Sequence, residues 1–232
     1  MRKVLVIFLI LLIGLVIAAD RIGLWVAQDQ IAKEAASQYD LDHKPKVKIK
    51  GFPFLNQALN GRYGEIDINV GDVTQLGVHL TDTEVTLKGV DAPLSDALHG
   101  DASKMVADTA TTTATVSYDD VNKQAPHGMK VSAKGKALQV RGPVTVLGIS
   151  RTLSATVSVR PSGRKIRVVP QTVDAGGTAI PVTLVQQAFT FTLPVKGLPA
   201  NTTISDVEVQ PDGLRVTTTG QHVNLESLAE QH

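Results

Sequence analysis

Six histidines, at positions 43, 79, 99, 127, 222 and 232, are the side chains of this 232-residue sequence best suited to metal ligation or proton transfer. No two of them stand four apart, so none has the helical spacing that sets two imidazoles on one metal. Cysteine is absent, which removes disulfides, thiolate metal sites, a thiol nucleophile and a lipidated N-terminal Cys. There is no Gly-x-Ser-x-Gly elbow, phosphate-cradling glycine loop or Gly-x-Gly-x-x-Gly. Asp119-Asp120 is a pair of adjacent carboxylates behind a predicted strand ending at Tyr118, and it reads as a helix N-cap favoured by the helix dipole. The triplets Thr111–Thr113 and Thr217–Thr219 read as exposed strand surface. No catalytic residue, metal or cofactor is assigned, and the chain is read as a non-enzyme.

Charge points elsewhere. Lys44, Lys46, Lys48 and Lys50 occupy every second position, so on a strand they project from one face. An anionic membrane surface attracts such a strip by about 1 kcal/mol per charge near the headgroups. The same lysines also suit a solvated face that deters edge pairing. Arg160, Arg164, Lys165 and Arg167 form a second cluster around Ser162-Gly163. The whole chain holds 23 Lys+Arg and 22 Asp+Glu, a net charge of +1, and without its first nineteen residues it is slightly acidic. A nucleic-acid binder needs a strongly basic stripe, so that class is set aside.

The elements that must position these groups start with an apolar run. Met1-Arg2-Lys3 precedes Val4–Ala19, which carries no charge. Residues 1–23 are expected to be a signal anchor with a cytoplasmic N-terminus, everything after them being exported. Cleavage after Ala19 as a signal peptide is the alternative, with Ile17 a poor small-residue match. Asp20 to Tyr39 follows as a helix, with Leu24, Ala27, Ile31 and Ala35 on one stripe. From residue 46 period-two alternation takes over, as in Val47 and Ile49, or Ile66, Ile68 and Val70. Further strands are expected at 111–118, 129–140, 144–149, 153–159, 166–169, 189–193, 204–209 and 214–225. Gly142-Pro143, Pro161-Ser162-Gly163, Gly176-Gly177 and Pro211-Asp212-Gly213 punctuate them. Short helices are expected at Phe54–Leu59, Leu94–Leu98, Asp119–Gln124 and Pro181–Ala188. With no linker or repeat, residues 24–232 read as one α+β domain, a long curved antiparallel sheet wrapped around the N-terminal helix.

The most distinctive stretch is Gly51-Phe52-Pro53-Phe54-Leu55, followed by Gln57-Ala58-Leu59 and Gly61-Arg62-Tyr63. It resembles the signature of the LmeA-like phospholipid-binding family of actinobacterial cell-envelope proteins. Leu87-Lys88-Gly89-Val90, Val116-Ser117-Tyr118-Asp119-Asp120, Phe189 through Pro199, Pro211-Asp212-Gly213-Leu214 and Gly220-x-x-Val223 continue the likeness in order. The resemblance implies a fold similar to tubular lipid-binding (TULIP) domains. It implies phospholipids, phosphatidylinositol among them, held in an apolar groove, and a role in envelope lipid or lipoglycan maturation. Some relatives are lipoproteins, a route closed here by the missing Cys.

The expected function is therefore an exported, membrane-anchored phospholipid-binding protein of the cell envelope. Each buried CH₂ contributes ~0.8 kcal/mol, so two acyl chains need no specific polar contact. The groove or its mouth is expected to use Phe52, Phe54, Leu55, Leu59, Tyr63, Phe189, Phe191 and Leu193, with Arg62 able to meet a headgroup phosphate. Each of these residues also has an ordinary reading, core packing for the apolar ones and surface for Arg62. The alternative function is a non-catalytic envelope scaffold that binds a partner enzyme through its sheet edge or basic strip.

Overall fold

The computed structural model describes residues 2–75, 77–99, 104–146, 149–174, 186–187, 189–195, 198 and 201–226. The apolar segment and the amphipathic stretch behind it form one continuous helix, α1 (Arg2–Gln38). Among the described residues three short α-helices follow, α2 (Phe54–Asn60), α3 (Leu94–His99) and α4 (Tyr118–Gln124), with one 3-10 turn at Pro126–Gly128. The helix expected at Pro181–Ala188 and the turn at Gly176-Gly177 fall outside the described residues, except that 186 and 187 are helical.

The α+β, antiparallel reading holds, with the strands distributed over two sheets. The first runs β1 (Lys46–Lys50), β2 (Arg62–Gln75), β3 (Val78–Asp91), β4 (Val106–Ser117), β11 (Gly213–Asn224), β10 (Thr202–Val209). The second runs β5 (Lys130–Lys134), β6 (Ala137–Val146), β7 (Ile149–Ser162), β8 (Lys165–Asp174), β9 (Phe191–Pro194). Several strand boundaries differ from expectation: Ile149 opens β7 instead of ending a strand, β9 starts at Phe191 and not Phe189, and two differences turn on glycines. The single strand read over 129–140 is split by a two-residue turn, Gly135-Lys136, between the paired residues Lys134 and Ala137. Gly135 has φ +63°, a conformation that side chains disfavour. Gly142-Pro143 is not a break but the middle of β6, where Gly142 faces Leu153. A Cβ on Gly142 would lie 2.8 Å from Met129 Cγ, so glycine is there to admit the methionine.

The chain divides into two compact units, both discontinuous in sequence. The first contains residues 1–70, 84–110 and 221–232; the second contains 71–83 and 111–220. In the first, Ala27 and Ala32 of α1 join Val47 and Ile49 of β1, Leu87 and Val90 of β3, and Ala107 of β4 in one core. Alanine on the helix lets it approach the strands closely. Lys46, Lys48 and Lys50 alternate with buried Val47 and Ile49, as predicted for a one-sided strand.

The second unit has the larger core. Leu138 and Val140 of β6, Val157 of β7, Val168 of β8, Leu214 of β11 and Phe189 are all fully buried. Strand β10 packs across β7, and the Ile204 N–H donates to the Gly163 carbonyl at 2.8 Å. Leu138→Ala removes three buried carbons where the surroundings are fixed by two paired strands. It is expected to destabilise the fold by about 2–5 kcal/mol, read as a lower urea midpoint; an unchanged midpoint would show that this core is not close-packed.

Candidate functional site

The first eighteen or so residues of α1 leave large apolar side chains bare on all sides, from Val4 through Ile17. A helix that is apolar all round and uncovered suits hydrocarbon rather than water. The 37-residue α1 is long and apolar enough to cross a membrane. Packing begins abruptly at Asp20, whose side chain is almost wholly buried.

Asp20 is held there by α2. The Leu55 N–H donates to Asp20 Oδ1 at 2.8 Å. Helix α2 starts after Pro53, which has no side-chain group to cap it. The first N–H groups of any helix lack internal partners, and the carboxylate on α1 serves one of them. Arg21 Nε donates to Asp20 Oδ2 at 3.1 Å, and the Arg21 guanidinium lies 5.2 Å from the centre of the Phe52 ring. The far end of α2 closes on Gly61, at φ +64°, whose N–H returns to the Ala58 carbonyl. In the sequence Asp20 is simply the first residue after the uncharged run. An acid directly at the end of such a run was the available signal.

The candidate lipid contacts of this unit take different positions. Phe54 and Tyr63 are buried, their ring centres 6.3 Å apart at 31°. Phe52, Leu55 and Leu59 are exposed. Arg62 is clamped between two carboxylates. Its Nη1 donates to both oxygens of Asp91 at 2.6 and 2.7 Å, and its Nη2 to Asp108 at 2.8 Å. These partners, Asp91 foremost, push its already high pKa further up. Gly89 makes the clamp possible: a Cβ there would lie 2.0 Å from Asp108 Oδ2. A phosphate reaching Arg62 meets a cluster with one cation and two anions.

The lysine strip is partly neutralised. Lys44 pairs with Asp29 on α1. Lys50 pairs with Asp67 at 2.7 Å and with Glu65, which pushes its pKa up to about 12 and holds both carboxyls below their usual range. Lys46 and Lys48 remain exposed on the same face.

The other candidates belong to the second unit, where Phe189 and Leu193 are buried and Phe191 is half-buried. The Asp119-Asp120 pair lies in the first turn of α4, but the cap is Ser117, whose Oγ accepts the Asp120 N–H at 3.2 Å. Asp120 instead binds Lys123 at 2.7 Å, the His79 N–H at 3.0 Å and the Ser117 hydroxyl at 3.1 Å. Lys123 above all holds its carboxyl below the usual range. Among the described residues no group of three or more His, Asp or Glu could hold a metal ion.

The model of a family described as LmeA-like phospholipid-binding matches residues 18–219. No curated protein and no solved structure matches the chain.

Two outcomes are expected from these contacts. Asp20→Ala deprives the Leu55 N–H of its acceptor, so that amide should exchange with solvent roughly tenfold faster or more in detergent-solubilised protein. Unchanged exchange would mean that α2 is held by its apolar contacts alone. For Asp120, a folded pKa below the unfolded one means its stabilisation is full above about pH 4 and is lost as pH falls through the lower folded value. Asp120→Asn should therefore be less stable at neutral pH and lose less stability on acidification, in urea titrations from pH 7 to 2.5; parallel curves would refute this.

Proposed function

The chain belongs to the LmeA-like phospholipid-binding family, and from that membership we propose that it is an exported protein, anchored by α1, that holds a phospholipid of the phosphatidylinositol type. The family match over residues 18–219 carries this reading. We place a single lipid-binding domain at residues 24–232, with a fold related to the tubular lipid-binding domains. Its setting is the cell envelope, in support of lipid or lipoglycan maturation.

The physical support lies in the first unit. Its core mixes six alanines, at 27, 32, 58, 92, 107 and 110, with larger residues such as Phe54, Tyr63 and Leu87. Around it Leu24, Ile31, Ile68, Val85 and Met105 are only partly covered. A slim helix thus leaves apolar surface on which acyl chains gain ~0.8 kcal/mol per CH₂ removed from water. Phe52, Leu55 and Leu59 are open to a lipid tail as they stand, and Phe191 partly so. Phe54, Tyr63, Phe189 and Leu193 reach a tail only if their neighbours move. Arg62 reaches a phosphate only by exchanging Asp91 or Asp108. No residue is proposed to do covalent chemistry, in keeping with a family described by binding.

Protein purified in a mild, non-phospholipid detergent is expected to carry phospholipid, identified by mass spectrometry of an organic extract. The delipidated protein is expected to bind phosphatidylinositol vesicles above phosphatidylcholine vesicles. An extract free of phospholipid, together with no uptake from either vesicle, would sink the reading.

A further inference from the structure

Phe52, Leu55 and Leu59 are 65%, 37% and 86% exposed, although they are among the largest apolar side chains of their unit. One bare leucine needs no explanation. These three share a single short stretch, and α2 directs Phe54 and Ala58 inward while Leu55 and Leu59, one turn apart, face out. Helix α2, sequence FLNQALN, has no charged residue.

On α1, Ile22, Trp25 and Val26 are 64%, 67% and 48% exposed, on the side of the helix turned away from Asp20. The two helices touch: a Cβ on Gly23 would lie 3.5 Å from Leu55 Cδ2. Asp20 fixes their relation through the Leu55 N–H. Helix α2 therefore lies against α1 within about one turn of the end of its bare run. That run, Val4–Ala19, rises ~24 Å, short of the ~30 Å of a hydrocarbon core. Counting on to Val26 gives ~35 Å along the helix and places Trp25 at the interfacial level where indoles collect. Asp20 then lies deeper than Trp25, at a level where a bare carboxylate is costly. It is 1% exposed, covered by α2 and paired with Arg21.

We propose that α2 is an interfacial helix: Phe52, Leu55 and Leu59 enter the headgroup–acyl boundary of the bilayer that α1 spans, and so press the lipid-binding unit against that leaflet. This rests on reading α1 as a membrane-embedded anchor. The occupant of the patch is lipid because the patch lies against α1 at the end of that anchor's bare run, with the exposed Arg21 cation over Phe52 at the level of the headgroups. Phospholipid then has a dry path from the leaflet onto the unit.

The chain contains no cysteine, so single cysteines can be spin-labelled in the full-length protein. Leu59→Cys tests the patch, with Phe52→Cys as a second position; both are exposed and leave the core untouched. Gly14→Cys reports embedding of α1. Ser37→Cys is the aqueous control, ~25 Å beyond Asp20 along the same helix. In phosphatidylcholine–phosphatidylinositol liposomes, the labels at 59 and 52 should collide more with oxygen and less with a water-soluble nickel chelate than the label at 37, and less extremely than the label at 14. Labels at 59 and 52 as chelate-accessible as that at 37, with 14 in lipid, would overturn the inference and leave the anchor intact. A chelate-accessible label at 14 would overturn the anchor and the inference together. Spin–spin broadening at 59 that disappears on dilution with unlabelled protein would show the patch covered by a second copy, and would also overturn it.

Discussion

The Asp20 carboxylate accepts the Leu55 N–H at 2.8 Å from a position almost sealed from solvent. On one side of it α1 is bare around its whole circumference; on the other it packs Ala27 and Ala32 into a core. One rigid helix thus belongs to two environments, and the residue at the change is charged. It is tolerated because Arg21 pairs with it and because α2 needs the acceptor that Pro53 cannot supply. That contact ties α2, with the exposed residues on it, to α1 in front of the core.

Much of the architecture was legible because burial on one face imposes a period. Val47 and Ile49 between lysines, or Leu138 and Val140 alternating with Gln139 and Arg141, fit half-buried strands. The limits of the reading were set by glycine, whose meaning depends on partners far along the chain. Gly135 is a turn because its φ is positive, and Gly142 is not, because it lies in a strand against Met129. Nothing local distinguishes them.

The candidate site shows the same limit more sharply. Phe54 and Leu55 are adjacent, yet one is buried beside Tyr63 and the other is exposed. The rotation of α2 against α1 decides this, and the carboxylate that sets the rotation is 35 residues upstream. Arg62 likewise offered itself as a phosphate ligand by its type alone. Its two acidic partners come from β3 and β4, and the passage of Asp108 depends on the missing side chain of Gly89. Of the four lysines, 46, 48 and 50 share the exposed face of β1 while Lys44 lies before it, and their charge is partly cancelled by Asp29, Glu65 and Asp67.

The first unit is assembled from three separate lengths of chain, the last beginning at residue 221. Val223 belongs to its core, and the Leu225 N–H reaches the Met105 carbonyl at 3.0 Å. A polypeptide made from its N-terminus therefore has its greasy leader in place long before the unit beside it can close. Closure waits for the stretch around Val223 and Leu225, more than a hundred residues beyond the β4 segment it joins. Until then its unfinished surfaces are open to premature association.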